Sequence, residues 1–125
     1  MEHVRCVYFA QPGKIGMPLR NLGVCKIGLA YWPPARLKEL GAQLVFAVVC
    51  EEEVAPRLER ALHEQFDYTR IINTPCGWMG HRLSGVEWFL IDDRLRWLMG
   101  MALNMGFWPW DRKRRPLLVS KELVR

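Results

Sequence analysis

The sequence predicts a small α+β domain, with a mixed or antiparallel three-stranded sheet and helices packed against it. Three observations carry this. The β-rich apolar runs "HVRCVYFA", "GVCKIGLA" and "AQLVFAVVC" all fall within the first 50 residues. Later segments repeat their apolar residues at helical spacing. The chain has 125 residues, enough for one hydrophobic core without disulfides or metal staples.

The first strand is "HVRCVYFA", rich in β-formers and closed by the turn signal "QPG". Residues 11–22, "QPGKIGMPLRNL", carry two prolines and two glycines among polar residues and read as a loop. "GVCKIGLA" is the second strand. Pro33 and Pro34 suit the first turn of a helix, "PPARLKELG", with Leu37 and Leu40 inward and Gly41 as its stop. "AQLVFAVVC" is the best candidate for a central strand. "EEEVAPRLERALHEQF" places Val54, Leu58, Leu62 and Phe66 four residues apart, an amphipathic helix. A glycine-dense loop, "NTPCGWMGHRLSG", leads to a short β-like run, "VEWFLI". The last helix, "DDRLRWLMGMALNMG", has an aspartate to cap it. The tail "FWPWDRKRRPLLVSKELVR" mixes aromatic and basic residues.

Composition narrows the function classes. The net charge of +5 makes a polyanion a plausible partner. The N-terminus reaches a turn too soon for a secretory signal, and no apolar run approaches a membrane span. A soluble, cytoplasmic protein is expected. Cys6, Cys25, Cys50 and Cys76 form no C-x-x-C pair, so reduced thiols are expected. Cys76 and His81 would make half a zinc site, with no second half evident.

Four polar residues stand at telling places: Tyr8, Lys26, Arg36 and Glu59. If strands one and two pair side by side, Tyr8 and Lys26 share a face near one end. Arg36 follows in the turn after strand two. Glu59 lies beside the Leu58/Leu62 stripe, with His63 one turn on. Singly, these are a rim aromatic, two surface cations and a solubilising acid. Together they are expected to border one concave surface.

The pieces "VYF" (7–9), "KIG" (26–28), Arg36 within "PARLKEL", "LERALHEQF" (58–66) and "GVEWF" (85–89) resemble the GIY-YIG nuclease superfamily. The phage-type branch, with Lys-Ile-Gly in the second motif and a later Glu-Trp-Phe, is the nearest likeness. It covers about residues 4–91, and it makes the second Lys-Ile-Gly the motif and the first, at 14–16, loop. The resemblance implies a three-stranded antiparallel sheet and Mg²⁺- or Mn²⁺-dependent hydrolysis of DNA phosphodiesters. It implies Tyr8 as general base, with a pKa that must fall from near 10. Lys26 stands for the second tyrosine, Arg36 for the phosphate clamp and Glu59 for the sole protein ligand to the metal. Val7 and Leu40 depart from the family pattern, and Asn73 is not carried over as its asparagine. His63 and Glu87 lie within matching motifs and are expected to tie the second helix and the short strand to the core.

The expected organisation is a GIY-YIG-like nuclease domain at 1–106 and an aromatic, basic extension at 107–125. In the extension, Arg112, Lys113, Arg114 and Arg115 are candidate DNA contacts, with Trp108 and Trp110 either stacking on bases or packing on the core. Two other readings compete. One is a catalytically silent module that binds DNA or a host protein; the other is an adaptor using loop 76–89 as its contact patch.

Overall fold

The structure is a computed structural model that describes residues 4–13, 23–71, 87–104 and 118–119. Strand β1 (Val4–Pro12) buries every residue from Cys6 to Ala10, so it has apolar contacts on both faces and takes the middle of the sheet. Its antiparallel neighbours are β2 (Val24–Ala30) on one side and β3 (Ala42–Glu51) on the other. These are the three strands expected, and the α+β class holds. Two short strands widen the sheet to five: β4 (Trp88–Leu90) pairs antiparallel with β2, and β5 (Leu118–Val119) pairs parallel with β3. The order is β4-β2-β1-β3-β5. On β3, Val45 has no counterpart on β1, because Phe9 faces Phe46 while Ala10 faces Leu44.

Helix α1 (Pro33–Leu40) starts on its two prolines and stops at Gly41. Gly41 has φ +66°, and its N–H donates to the Leu37 carbonyl, the left-handed cap that glycine tolerates best. Helix α2 (Ala55–Gln65) runs into a 3₁₀ turn at Asp67–Thr69. Helix α3 (Asp93–Asn104) is capped as expected, with the Leu95 N–H donating to Asp92 Oδ1 at 2.9 Å. No helix among the described residues is long and apolar enough to cross a membrane.

Each face of the sheet has its own core. Val7, Phe9, Ile27, Phe46 and Val48 meet Leu58, Leu62, Leu95 and Met99 on the α2–α3 face, where Phe9 stacks on Phe46 at 4.3 Å between ring centroids. Tyr8, Val24, Ala47, Val49 and Trp88 meet Leu37 on the α1 face. Cys6, Cys25 and Cys50 are buried free thiols. Cys76, His81, Asn73, the first Lys-Ile-Gly, Trp108, Trp110 and the basic run Arg112–Arg115 lie outside the described residues, as does most of loop 76–89.

The buried thiols yield a prediction. Burial pushes Cys6 up to about 11 and Cys25 and Cys50 up to about 12, and it does the same to the Tyr8 phenol, also to about 12. Above about pH 9 the unfolded chain sheds these protons first, so the folded state holds more protons and stability falls as pH rises towards 12. Each group contributes up to about 1.4 kcal/mol per pH unit in its window. Urea midpoints in reducing buffer should therefore be level below pH 8 and drop steeply from 9 to 11. A flat profile would contradict this burial.

Candidate active site

The site is built at the edge of β2, beyond its pairing with β4. Strand β4 covers that edge only from Val24 to Lys26, and beyond it the backbone of Ile27 is taken up by other groups. The Ile27 N–H donates to the Glu87 carbonyl at 3.1 Å. The Ile27 carbonyl accepts from His63 Nε2 at 2.8 Å, which leaves Nδ1 as the imidazole's other nitrogen. The His63 ring also packs against Phe89, with centroids 5.2 Å apart. His63 and Glu87 thus tie α2 and β4 to the sheet, as expected, and bring their own functional groups to the edge.

Tyr8 reaches the same edge from the other face. It sits opposite Gly28 in the β1–β2 register, and its ring lies across that glycine. A Cβ built on Gly28 would stand 2.5 Å from Tyr8 Oη and 2.6 Å from Cζ. The glycine is required by this close approach and not by its backbone angles. Only a residue without a side chain leaves room for the phenol over β2, where Tyr8 is 1% exposed.

At the edge, the Arg36 guanidinium and the Glu87 and Glu59 carboxylates are all within electrostatic reach of the Tyr8 phenol. Arg36 is half exposed and otherwise held by Glu39 one turn on, at 3.3 Å. Such a surface pair contributes only about 0.3–0.5 kcal/mol, so the guanidinium turns readily to a better acceptor. One ligand atom each from Glu59, His63 and Glu87 lies within 4.8 Å of the others. Burial first, and then Glu87, push the Glu59 carboxyl above its usual range, against the pull of His63, Arg5 and Lys26. Glu59 and His63 open onto a groove of about 430 Å³ along α2 that Arg60 and Arg70 also line.

Lys26 is not the solvated strand lysine of the ordinary reading. It is 3% exposed, its ammonium is 3.3 Å from Glu87 Oε2, and it lies 5.8 Å from the centre of the Trp88 ring. Glu87→Ala takes the carboxylate away from a buried ammonium. We expect a loss near the lower end of roughly 3–5 kcal/mol, because the Glu87 side chain is itself 34% exposed. Lys26→Met removes the buried charge together with the pair and should cost less. Urea unfolding of the two variants checks the order, and a larger loss from Lys26→Met would contradict it.

Two expectations change. The four sequence-picked residues do not share one concave face: α2, which carries Glu59, packs on the face opposite Tyr8 and α1, and the groups meet around the β2 edge. Nor does the phenol titrate early in the protein alone. Burial and then Glu87 push Tyr8 up to about 12, outweighing the pull of Arg36. Sequence reasoning also passed over Arg5, whose field reaches Glu59. Its signal was parity with Val7 on the first strand.

A family model, described as the T5orf172 domain, matches residues 5–99, which spans every residue of this site. No curated protein and no solved structure matches the sequence.

Proposed function

The chain belongs to the T5orf172 domain family, and on that premise we propose that it is a GIY-YIG-type, metal-dependent endonuclease that hydrolyses DNA phosphodiester bonds. The observation that carries this reading is the Glu59–His63–Glu87 cluster, whose ligand atoms lie within 4.8 Å of one another, with Tyr8 in the electrostatic reach of Glu59, Glu87 and Arg36. A base, a phosphate clamp and anionic oxygen donors around one point are what hydrolysis of a phosphodiester requires.

The donor set suits a hard cation. Mg²⁺ is ordinarily held by one or two carboxylates, with water and substrate phosphate completing its shell, and Mn²⁺ accepts the same oxygens. Glu59 is the assigned ligand, and Glu87 is the second carboxylate within range. When bound, the ion supplies charge neutralisation at the phosphoryl oxygens and a more acidic water.

The chain's own residues divide the remaining work. Hydrolysis forms a bond from a water oxygen to phosphorus as one ester P–O bond breaks, and the departing oxygen takes up a proton. Arg36 gives its planar guanidinium to the phosphoryl oxygens. Tyr8 holds the attacking water through its hydroxyl. Tyr8 accepts the water's proton as a phenolate, so the phenol first gives its own proton to solvent, a loss that Arg36 favours and that burial, Glu87 and Glu59 oppose. Lys26 holds Glu87 at the edge. The run Arg112–Arg115 adds phosphate contacts, which make DNA the natural partner.

The second reading is a silent module of the same family that binds DNA or a host protein without cutting. The phenol's high value in the protein alone favours it. Supercoiled plasmid incubated with Mg²⁺ or Mn²⁺, with and without chelator, separates the two. Chelator-sensitive conversion to open-circular or linear DNA supports the nuclease, and no conversion with any divalent ion passes the site to the second reading.

A further inference from the structure

Arg36 serves the α1 face of the edge, and a second arginine stands on the opposite face. Strand alternation puts Arg5 on the α2 side with Val7, and Tyr31 directly follows Ala30, the last residue of β2. The Arg5 guanidinium carbon lies 5.0 Å from the centre of the Tyr31 ring. That ring is 60% exposed and is tethered by its hydroxyl, which donates to the Glu52 carboxylate. Arg36, Arg70 and Arg96 each pair with a carboxylate three residues away, whereas Arg5 makes no ion pair among the described residues. Its Nε is shielded from water and has no hydrogen-bond partner among the described residues. A shielded donor without an acceptor is costly to keep, and a stacked planar cation is pre-organised for a bidentate anion.

We propose that Arg5 and Tyr31 form a second phosphate subsite, which takes the phosphodiester neighbouring the one at Arg36 and stacks its base or sugar on the Tyr31 ring. The subsite rests on the reading that this edge engages DNA. Cations on both faces let one strand lie across the edge, and Glu59 is within electrostatic reach of Arg5. Arg5 acts here by binding and not by chemistry. A guanidinium fork serves better than an ammonium, because two parallel N–H donors match two phosphate oxygens. An exposed, tethered aromatic ring accepts any base, so the subsite carries little sequence preference.

The test is binding of a fluorescently labelled DNA duplex in chelator, over a series of salt concentrations, by wild type and by variants whose circular dichroism is unchanged. Arg5→Gln should weaken binding about tenfold at low salt, and it should lower the slope of log K against log salt by about 0.9, the loss of one phosphate contact. Arg5→Lys should keep the slope. Tyr31→Ala should weaken binding and Tyr31→Phe should not, since the ring is retained. Packing alone would not move the salt slope. An unchanged slope in Arg5→Gln overturns the subsite even if wild type cuts DNA, and so does a wild type that shows no salt-dependent binding. A reduced slope together with an uncut plasmid keeps the subsite and removes the nuclease. Should Arg5→Gln fail to fold, Tyr31→Ala decides alone, and binding equal to wild type overturns the subsite.

Discussion

Glu59→Ala is expected to abolish cleavage while leaving fold and DNA binding intact. Removing one preorganised electrostatic stabiliser costs on the order of 10²–10³ in rate, and loss of the assigned metal ligand should cost at least that. Stability should hold or rise slightly. Glu59 is already held above the usual carboxylate range by burial and by Glu87, so the variant relieves a repulsion. DNA binding should persist or tighten, because a negative charge leaves a phosphate site. Three readouts check this: plasmid cleavage, urea unfolding and salt-dependent DNA binding. Cleavage equal to wild type would remove Glu59 from the metal assignment.

Gly28→Ala is expected to damage the site through a single methyl group. The new Cβ would lie 2.5 Å from Tyr8 Oη, closer than real contacts permit, so the phenol must leave its place over β2. Overpacking of this kind typically costs about 1–3 kcal/mol. The functional loss should be larger in relative terms, since displacing a reacting group by about 1 Å can cost on the order of 10² in rate. The stability cost should shrink in a Tyr8→Leu background, because the clashing hydroxyl is gone and the two positions couple. Full activity in Gly28→Ala, with additive stability effects, would mean that the Tyr8 ring does not lie where it is described.

The elements were legible because their signals are local. Pro33–Pro34 and Gly41 bound α1, Asp92 caps α3, and the apolar run at 42–50 became β3 with little change. The way the site assembles was less legible, because its causes are far apart in sequence. Tyr8 and Gly28 meet through strand register, which neither segment encodes alone. Lys26 finds Glu87 61 residues away, so a lysine that reads as solvated is in fact buried and paired. The middle position in the sheet went to β1 because both of its faces are covered, a fact about its neighbours. Strand β4 falls within the short β-like run "VEWFLI", whereas β5 is two residues long, too short for any periodicity to declare it. The resemblance placed Tyr8, Lys26, Arg36 and Glu59 in order along the chain, but not on which side of the sheet each would lie.

On the proposed reading, the β2 edge holds one divalent ion through Glu59 and cuts DNA only when it does. The most direct measurement is a Mn²⁺ titration of the wild-type protein, reading free Mn²⁺ by electron paramagnetic resonance and plasmid nicking in the same samples. One bound ion is expected, its occupancy tracking the nicking rate, with both lost in Glu59→Ala. Nicking that continues in chelator, or Mn²⁺ binding undiminished in Glu59→Ala, would contradict it.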